Sequence, residues 1–258
     1  MKKVTLRGTL STILVLALVG MVGLYAARDL NFSKTEDGNF GEKVRAYLLS
    51  NPQVIREAIE VLTATEQRDK ADRSALALSA AQKDLEDDGY SFVAGNPNGD
   101  VTIVEFFDYR CGYCKKSFPD LMKTVEEDGN VRLVLKEFPI LGEQSVLAAQ
   151  AVMASQLQGK YEPFHKILMQ ARGGLTLDRI NEYAAQVGID TARLGADMKS
   201  DEIRNNIRQT YTLANALGIT GTPAFVIGGR LASGAIPPRQ MKMMIAEARA
   251  KKTSAVTN

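Results

Sequence analysis

Between residues 101 and 137 the chain reads strand, helix, strand, an order that makes the two strands parallel neighbours. "VTIVEFFDY" (101–109) is an apolar, branched and aromatic run suited to a buried strand, and "VRLVLKEFPI" (131–140) is a second. The stretch between them, roughly Tyr113 to Glu127, has helical spacing and ends at Asp128 and Gly129. Strands return at "TPAFVIGG" (222–229), where Gly228 and Gly229 predict a tight turn into "RLASG" and hence a two-strand hairpin. From Glu143 to about Leu217 the pattern is helical, with breaks at Gly159, "ARGG" and Gly188. A sheet built from pieces on both sides of a helical stretch predicts an α/β core with a helical insertion. "PPRQMKMMIAEARAKK" predicts a closing amphipathic helix, and "DGYSFVAGNPNGD" (88–100) predicts a domain boundary around a short strand.

The N-terminus is of a different kind. Lys2, Lys3 and Arg7 precede an uncharged run from Gly8 to Ala27 whose twenty residues, at about 1.5 Å each, reach roughly the 30 Å of a bilayer's hydrocarbon. It reads as an export signal, with a buried core helix as the alternative. Cleavage after Ala26 or Ala27 would put Leu24 or Tyr25 where a small residue is wanted, so an uncleaved anchor is expected ahead of a cleaved signal peptide. Everything downstream is then outside the cytoplasm. Without Lys2, Lys3 and Arg7 the chain keeps 29 basic against 30 acidic residues, a balance that disfavours a nucleic-acid partner.

Residues 29–40 read as a linker. A helical pattern begins at Glu42, and Pro52 fits the first turn of a second helix capped by Asn51. Beyond Ala64 the sequence favours helix but is poor in bulky apolar residues. Val61, Ala64, Arg68, Ala71, Ala75, Leu78, Gln82 and Leu85 fall at heptad spacing, and six of these eight are apolar. Self-association through this arm and a solvated helical spacer are both open readings.

Cys111 and Cys114 are the only cysteines, and they sit where the first strand passes into its helix. A structural bridge closing so short a loop would contribute about 2 kcal/mol, against about 3 kcal/mol for a fifteen-residue loop. Tetrahedral zinc wants four ligands, whereas the chain offers two thiols and one histidine, His165, about fifty positions away. His165 reads as an ordinary helix residue, and inert thiols are not expected outside the cytoplasm. A redox site has a physical basis: at the start of a helix, free N–H groups and the dipole favour a thiolate at Cys111. Cys114, three residues on along the same face, is placed to attack a mixed disulfide formed there.

"VEFFDYRCGYC", the helical insertion and "GITGTPAFVI" together resemble a DsbA-type thioredoxin-fold protein over residues 88–250. The resemblance implies a thioredoxin fold with an inserted helical domain, and a cis Pro223, preceded by Thr222, facing the dithiol. It also implies that Glu105 is the buried acid beneath the second cysteine, able to take or relay the proton of Cys114. The Gly-Tyr pair between the cysteines lacks the histidine that DsbA itself carries there, which implies a weaker oxidant, and it is the dipeptide of DsbC-type isomerases. The arm before residue 88 is similar to the extension of ScsC-like proteins, some of which are trimeric isomerases.

The expected organisation is a signal segment (1–28), a linker and helical arm (29–88), the first part of a thioredoxin fold (89–142), an inserted helical domain (143–217), and the second part with a tail (218–258). The expected function is thiol-disulfide exchange with exported proteins in the periplasm, as oxidase or isomerase. An inner-membrane redox partner of DsbB or DsbD type, a homo-oligomer through residues 42–88, and no cofactor complete the reading. The rivals are a copper or zinc carrier using the two thiolates and a chaperone using cleft and arm.

Overall fold

The computed structural model describes residues 39–256. The expected export segment over 8–27 lies outside the described residues. Among the described residues no helix is long and apolar enough to cross a membrane. Contacts divide the chain into two units, Met1–Asp69 and Lys70–Asn258.

In the first unit a helix over 39–50 (α1) is followed by the start of α2 (Gln53–Ala80). Asn51 does not cap α2 with its side chain as expected. Its amide donates back to the Tyr47 carbonyl at 2.9 Å, satisfying an end of α1 instead. Phe40, Val44, Tyr47, Leu49, Ile55, Ile59, Val61 and Leu62 are all exposed on these helices.

In the second unit five strands stand in the order β1-β3-β2-β4-β5: β1 (Phe92–Gly95), β2 (Val101–Phe107), β3 (Val131–Glu137), β4 (Ala224–Ile227) and β5 (Arg230–Ser233). β2 and β3 run parallel, joined by α4 (Gly112–Asp128), and the other pairings are antiparallel. Between β3 and β4 lie α5 (Glu143–Ser155), α6 (Tyr161–Gln170), α7 (Leu177–Gln186), α8 (Thr191–Asp197) and α9 (Asp201–Ala216). Thr176, Asp190 and Ser200 start α7, α8 and α9 by accepting backbone N–H groups of the first turn. The chain closes with α10 (Pro238–Val256).

Alternation along the strands makes two cores. Ile103, Phe107, Leu133, Leu135, Phe225 and Ile227 point to one face, under α4, α10 and most of the insertion. Val104, Phe106, Val134 and Val226 point to the other, covered by Leu78 of α2, Leu85 of α3 (Gln82–Glu86), and Leu213 and Leu217. The last part of the expected arm is therefore core of the folded unit: Leu78 and Leu85, read as seam positions, are spent on the sheet. The buried Lys136 fastens this segment, its Nζ donating to the Asp84 carbonyl at 2.6 Å and pairing with Asp88. Arg249 of α10 grips Asp100 and Asp128 with paired hydrogen bonds of 2.6 to 2.9 Å. Gly228 turns the hairpin with φ at 55°, and a Cβ there would stand 2.4 Å from that of Ala248.

Candidate active site

Cys111 is the N-cap of α4, with extended backbone (φ −72°, ψ 113°), and its sulfur accepts the Cys114 N–H at 3.3 Å. The turn before it is tied down by Asp108. The Asp108 carbonyl accepts the Cys111 N–H at 3.0 Å, and its carboxylate accepts Arg110 N–H (2.7 Å), Leu141 N–H (2.9 Å) and the Ser145 hydroxyl (2.8 Å). The helix follows because the chain leaves the strand with its first N–H groups unpaired and supplies a sulfur to take one.

Both cysteines are free thiols, Cys111 6% exposed and Cys114 fully buried on the inner face of α4 with Phe118, Leu121 and Val125. The two sulfurs ionise very differently. The Cys114 thiol donating to it, against the cost of burial, brings the Cys111 thiol down to about 5, helped by the Thr222 side chain and the N–H groups of Cys114 and Tyr113. Cys114 is pushed well up, first by its hydrogen bond to Cys111, then by burial and by the charge of Glu105.

The Cys111 sulfur lies 3.2 Å from the Thr222 carbonyl oxygen, to which its thiol donates. The Thr222–Pro223 peptide bond is cis. Glu105, on the α4 side of β2, is completely buried, and neither carboxyl oxygen has a hydrogen-bond partner. Burial, and then the charge of Cys111, raise it to about 8, in the range where a carboxyl can exchange protons near neutral pH. The five residues singled out in the sequence, Cys111, Cys114, Thr222, Pro223 and Glu105, thus meet where the end of β2, the start of α4 and the start of β4 converge.

Sequence reasoning missed three elements of the surroundings. Asp108 organises the loop. Lys115, next to Cys114, donates to the carbonyls of Leu168 (2.8 Å) and Ala171 (2.6 Å), joining α4 to the end of α6. Glu137 accepts two buried tyrosine hydroxyls, Tyr109 (3.0 Å) and Tyr161 (2.8 Å), and Tyr109 in turn lies 2.8 Å from Nδ1 of His165. His165 is thus a helix residue of α6, as expected, and is buried within a polar network. The available signal was an acid at the end of the apolar alternation Val131, Leu133, Leu135, Glu137. Among the described residues no group of three or more His, Cys, Asp or Glu side chains is placed to share a metal ion.

Residues 102–246 match the family described as DSBA-like thioredoxin domain, and residues 39–71 match the copper resistance protein ScsC N-terminal domain. A crystal structure of a thioredoxin-like oxidoreductase from Silicibacter pomeroyi is 43% identical, with a TM-score of 0.64 over 65% of this chain and 97% of that one. A linker-deletion mutant of Proteus mirabilis ScsC is 27% identical, with a TM-score of 0.65 over 84% of this chain and 97% of that one. The thiol:disulfide interchange protein DsbA of Bordetella parapertussis is 30% identical over 142 residues, 51% of this chain and 65% of that protein. The chain spans only 25% of the length of another relative, the Na(+)/H(+) antiporter NhaA of Herminiimonas arsenicoxydans. With the match over 102–246 covering more than half of its length, the chain belongs to the DsbA-like thioredoxin-domain family, and ahead of that domain residues 39–71 are similar to the ScsC N-terminal domain.

Proposed function

We propose that this protein is a thiol-disulfide oxidoreductase acting on exported proteins outside the cytoplasm. The observation that carries the reading is the asymmetry of the dithiol: a helix-capping Cys111 brought down to about 5, with a buried Cys114 beside it held in the thiol form. The Cys111 thiolate attacks a substrate disulfide, forming a mixed disulfide and releasing one substrate thiolate. Cys114 gives its proton to Glu105 and attacks the Cys111 sulfur, releasing the second substrate thiolate and leaving the Cys111–Cys114 disulfide. Run in reverse, the same steps oxidise a substrate dithiol. Thr222 and Pro223 form the wall along which an extended substrate segment pairs.

The basic start and apolar run of the N-terminus support a periplasmic location, tethered to the inner membrane by residues 8–27. Residues 89–142 and 218–258 form the redox domain, 143–217 its insertion, and a membrane redox partner of DsbB or DsbD type resets the dithiol. The exposed apolar side chains on α1 and the start of α2 favour isomerisation by an oligomer, in which several dithiols face one substrate. A copper or zinc carrier is the rival, favoured by the description of the N-terminal match. Refolding of scrambled ribonuclease by metal-free protein separates the two: exchange without metal supports the oxidoreductase, and its absence with stoichiometric Cu(I) binding supports the carrier.

A further inference from the structure

Glu137 is the second buried carboxyl on the α4 side of the sheet, and the exchange steps above leave it without a role. The parallel register pairs Phe107 with Glu137 and Glu105 with Leu135, which makes Glu105 and Glu137 diagonal neighbours on one face of adjacent strands. Around Glu137 stand Tyr109, Asp108 and Glu105 from β2 and the turn after it, and Tyr161 and His165 from α6. Phe107 and Phe118 close on the His165 ring at 4.9 and 5.2 Å between centroids.

With Glu137 ionised, the proton inventory fixes the arrangement. Tyr161 and Tyr109 each have one hydroxyl proton, and both give it to Oε1 of Glu137. His165 must then donate from Nδ1 to the Tyr109 oxygen, a tautomer assigned from the network, leaving Nε2 as a bare lone pair among the rings. Burial keeps His165 neutral, holding it down to about 3. Among the described residues no ion pair reaches Glu137, so its charge is held by two neutral donors, and the charge of Glu105 is among the influences that raise it. A hollow of about 10 Å³, lined by Glu137, Tyr161 and the part-exposed Tyr90 and Ser91, borders it on the side of β1.

We propose that Glu137 is a positioning residue for the resolving step: held by Tyr109, Tyr161 and His165, it sets through its charge how readily Glu105 takes the proton of Cys114. Two carboxyls this close on an apolar face titrate as a pair, so charge on one delays ionisation of the other. Burial raises Glu137, like Glu105, to about 8, which places both in the range where the pair changes charge. The inference rests on the exchange reading and adds a residue to it.

The test is the rate at which a preformed mixed disulfide on Cys111 releases its peptide, followed as a function of pH in full-length protein. With Glu137→Gln the rising limb moves to lower pH, and a half-unit shift makes release about three-fold faster at a fixed pH on that limb. Tyr161→Phe, which weakens the hold on the ionised Glu137, moves it the same way by less. In a Glu105→Gln background neither change has a further effect. An unmoved limb in both single variants, with near-ultraviolet circular dichroism as in wild type, overturns the inference and reduces the network to a structural one. Should Glu137→Gln fail to fold, Tyr161→Phe alone decides between these results. Wild-type protein that releases no peptide at any pH overturns the exchange reading and this inference together.

Discussion

The sulfur of Cys111 lies 3.2 Å from the carbonyl oxygen of Thr222, although 111 positions separate the two residues in the chain. β4 brings them together by pairing antiparallel with β2, so that Phe106 faces Ala224, just beyond Pro223. Thr222, Pro223 and the Cys111 thiol they face are thus fixed by the same strand pair.

Cys111→Ser abolishes exchange, and Cys114→Ser leaves attack intact but traps substrate as a mixed disulfide, visible as a stable adduct by mass spectrometry. The opposite pattern, exchange surviving the first change and lost with the second, would reverse the two roles.

Glu105→Gln leaves the first attack unchanged and slows release of a mixed disulfide by on the order of 10²-fold, the usual contribution of a positioned base. Because burial raises this carboxyl to about 8, release in wild type climbs as pH passes through that value and the carboxylate forms. Stopped-flow rates of release, measured across that range, should show the climb in wild type and a flat profile in the variant.

The reduced protein should lose stability as the solution is acidified, in a way that depends on Cys111. Its thiol is lowered in the folded state, so it contributes stability in full above the ordinary thiol value of about 8.5. That contribution is lost as pH falls through about 5. The gap in urea midpoint between reduced wild type and reduced Cys111→Ser should therefore shrink over this window and level off below it. A gap independent of pH would mean that the folded environment does not favour the thiolate.

Removing the arm tests its part in assembly, and the cut must respect the core. Leu78 and Leu85 are 4% and 3% exposed against the sheet, so a deletion reaching residue 88 would strip the fold as well as the arm. A chain lacking residues 29–69 should remain folded, have a smaller mass in solution by light scattering, and repair scrambled substrate less well than the longer chain. Equal masses and equal repair would make the arm a spacer.

Most of the fold was legible because its signals are local. The βαβ unit announced itself through two branched apolar runs flanking a helical one, and the hairpin through Gly228 and Gly229. The dithiol was legible from its place at a strand-to-helix junction. What stayed hidden depends on register across the sheet. That Glu105 and Glu137 are diagonal neighbours follows from how β2 and β3 align, and no spacing along one strand reveals it. The reach of the arm was misjudged for a related reason. Leu78 and Leu85 have the same spacing whether they face another helix or, as they do, Val104, Val134 and Val226.

The most direct measurement is the thiolate absorbance of the reduced protein, titrated from acid to alkaline pH with Cys111→Ser as reference. A single transition near pH 5, missing in the variant, is expected from the capped, hydrogen-bonded seat of Cys111. A transition near the ordinary thiol value of about 8.5 would contradict it.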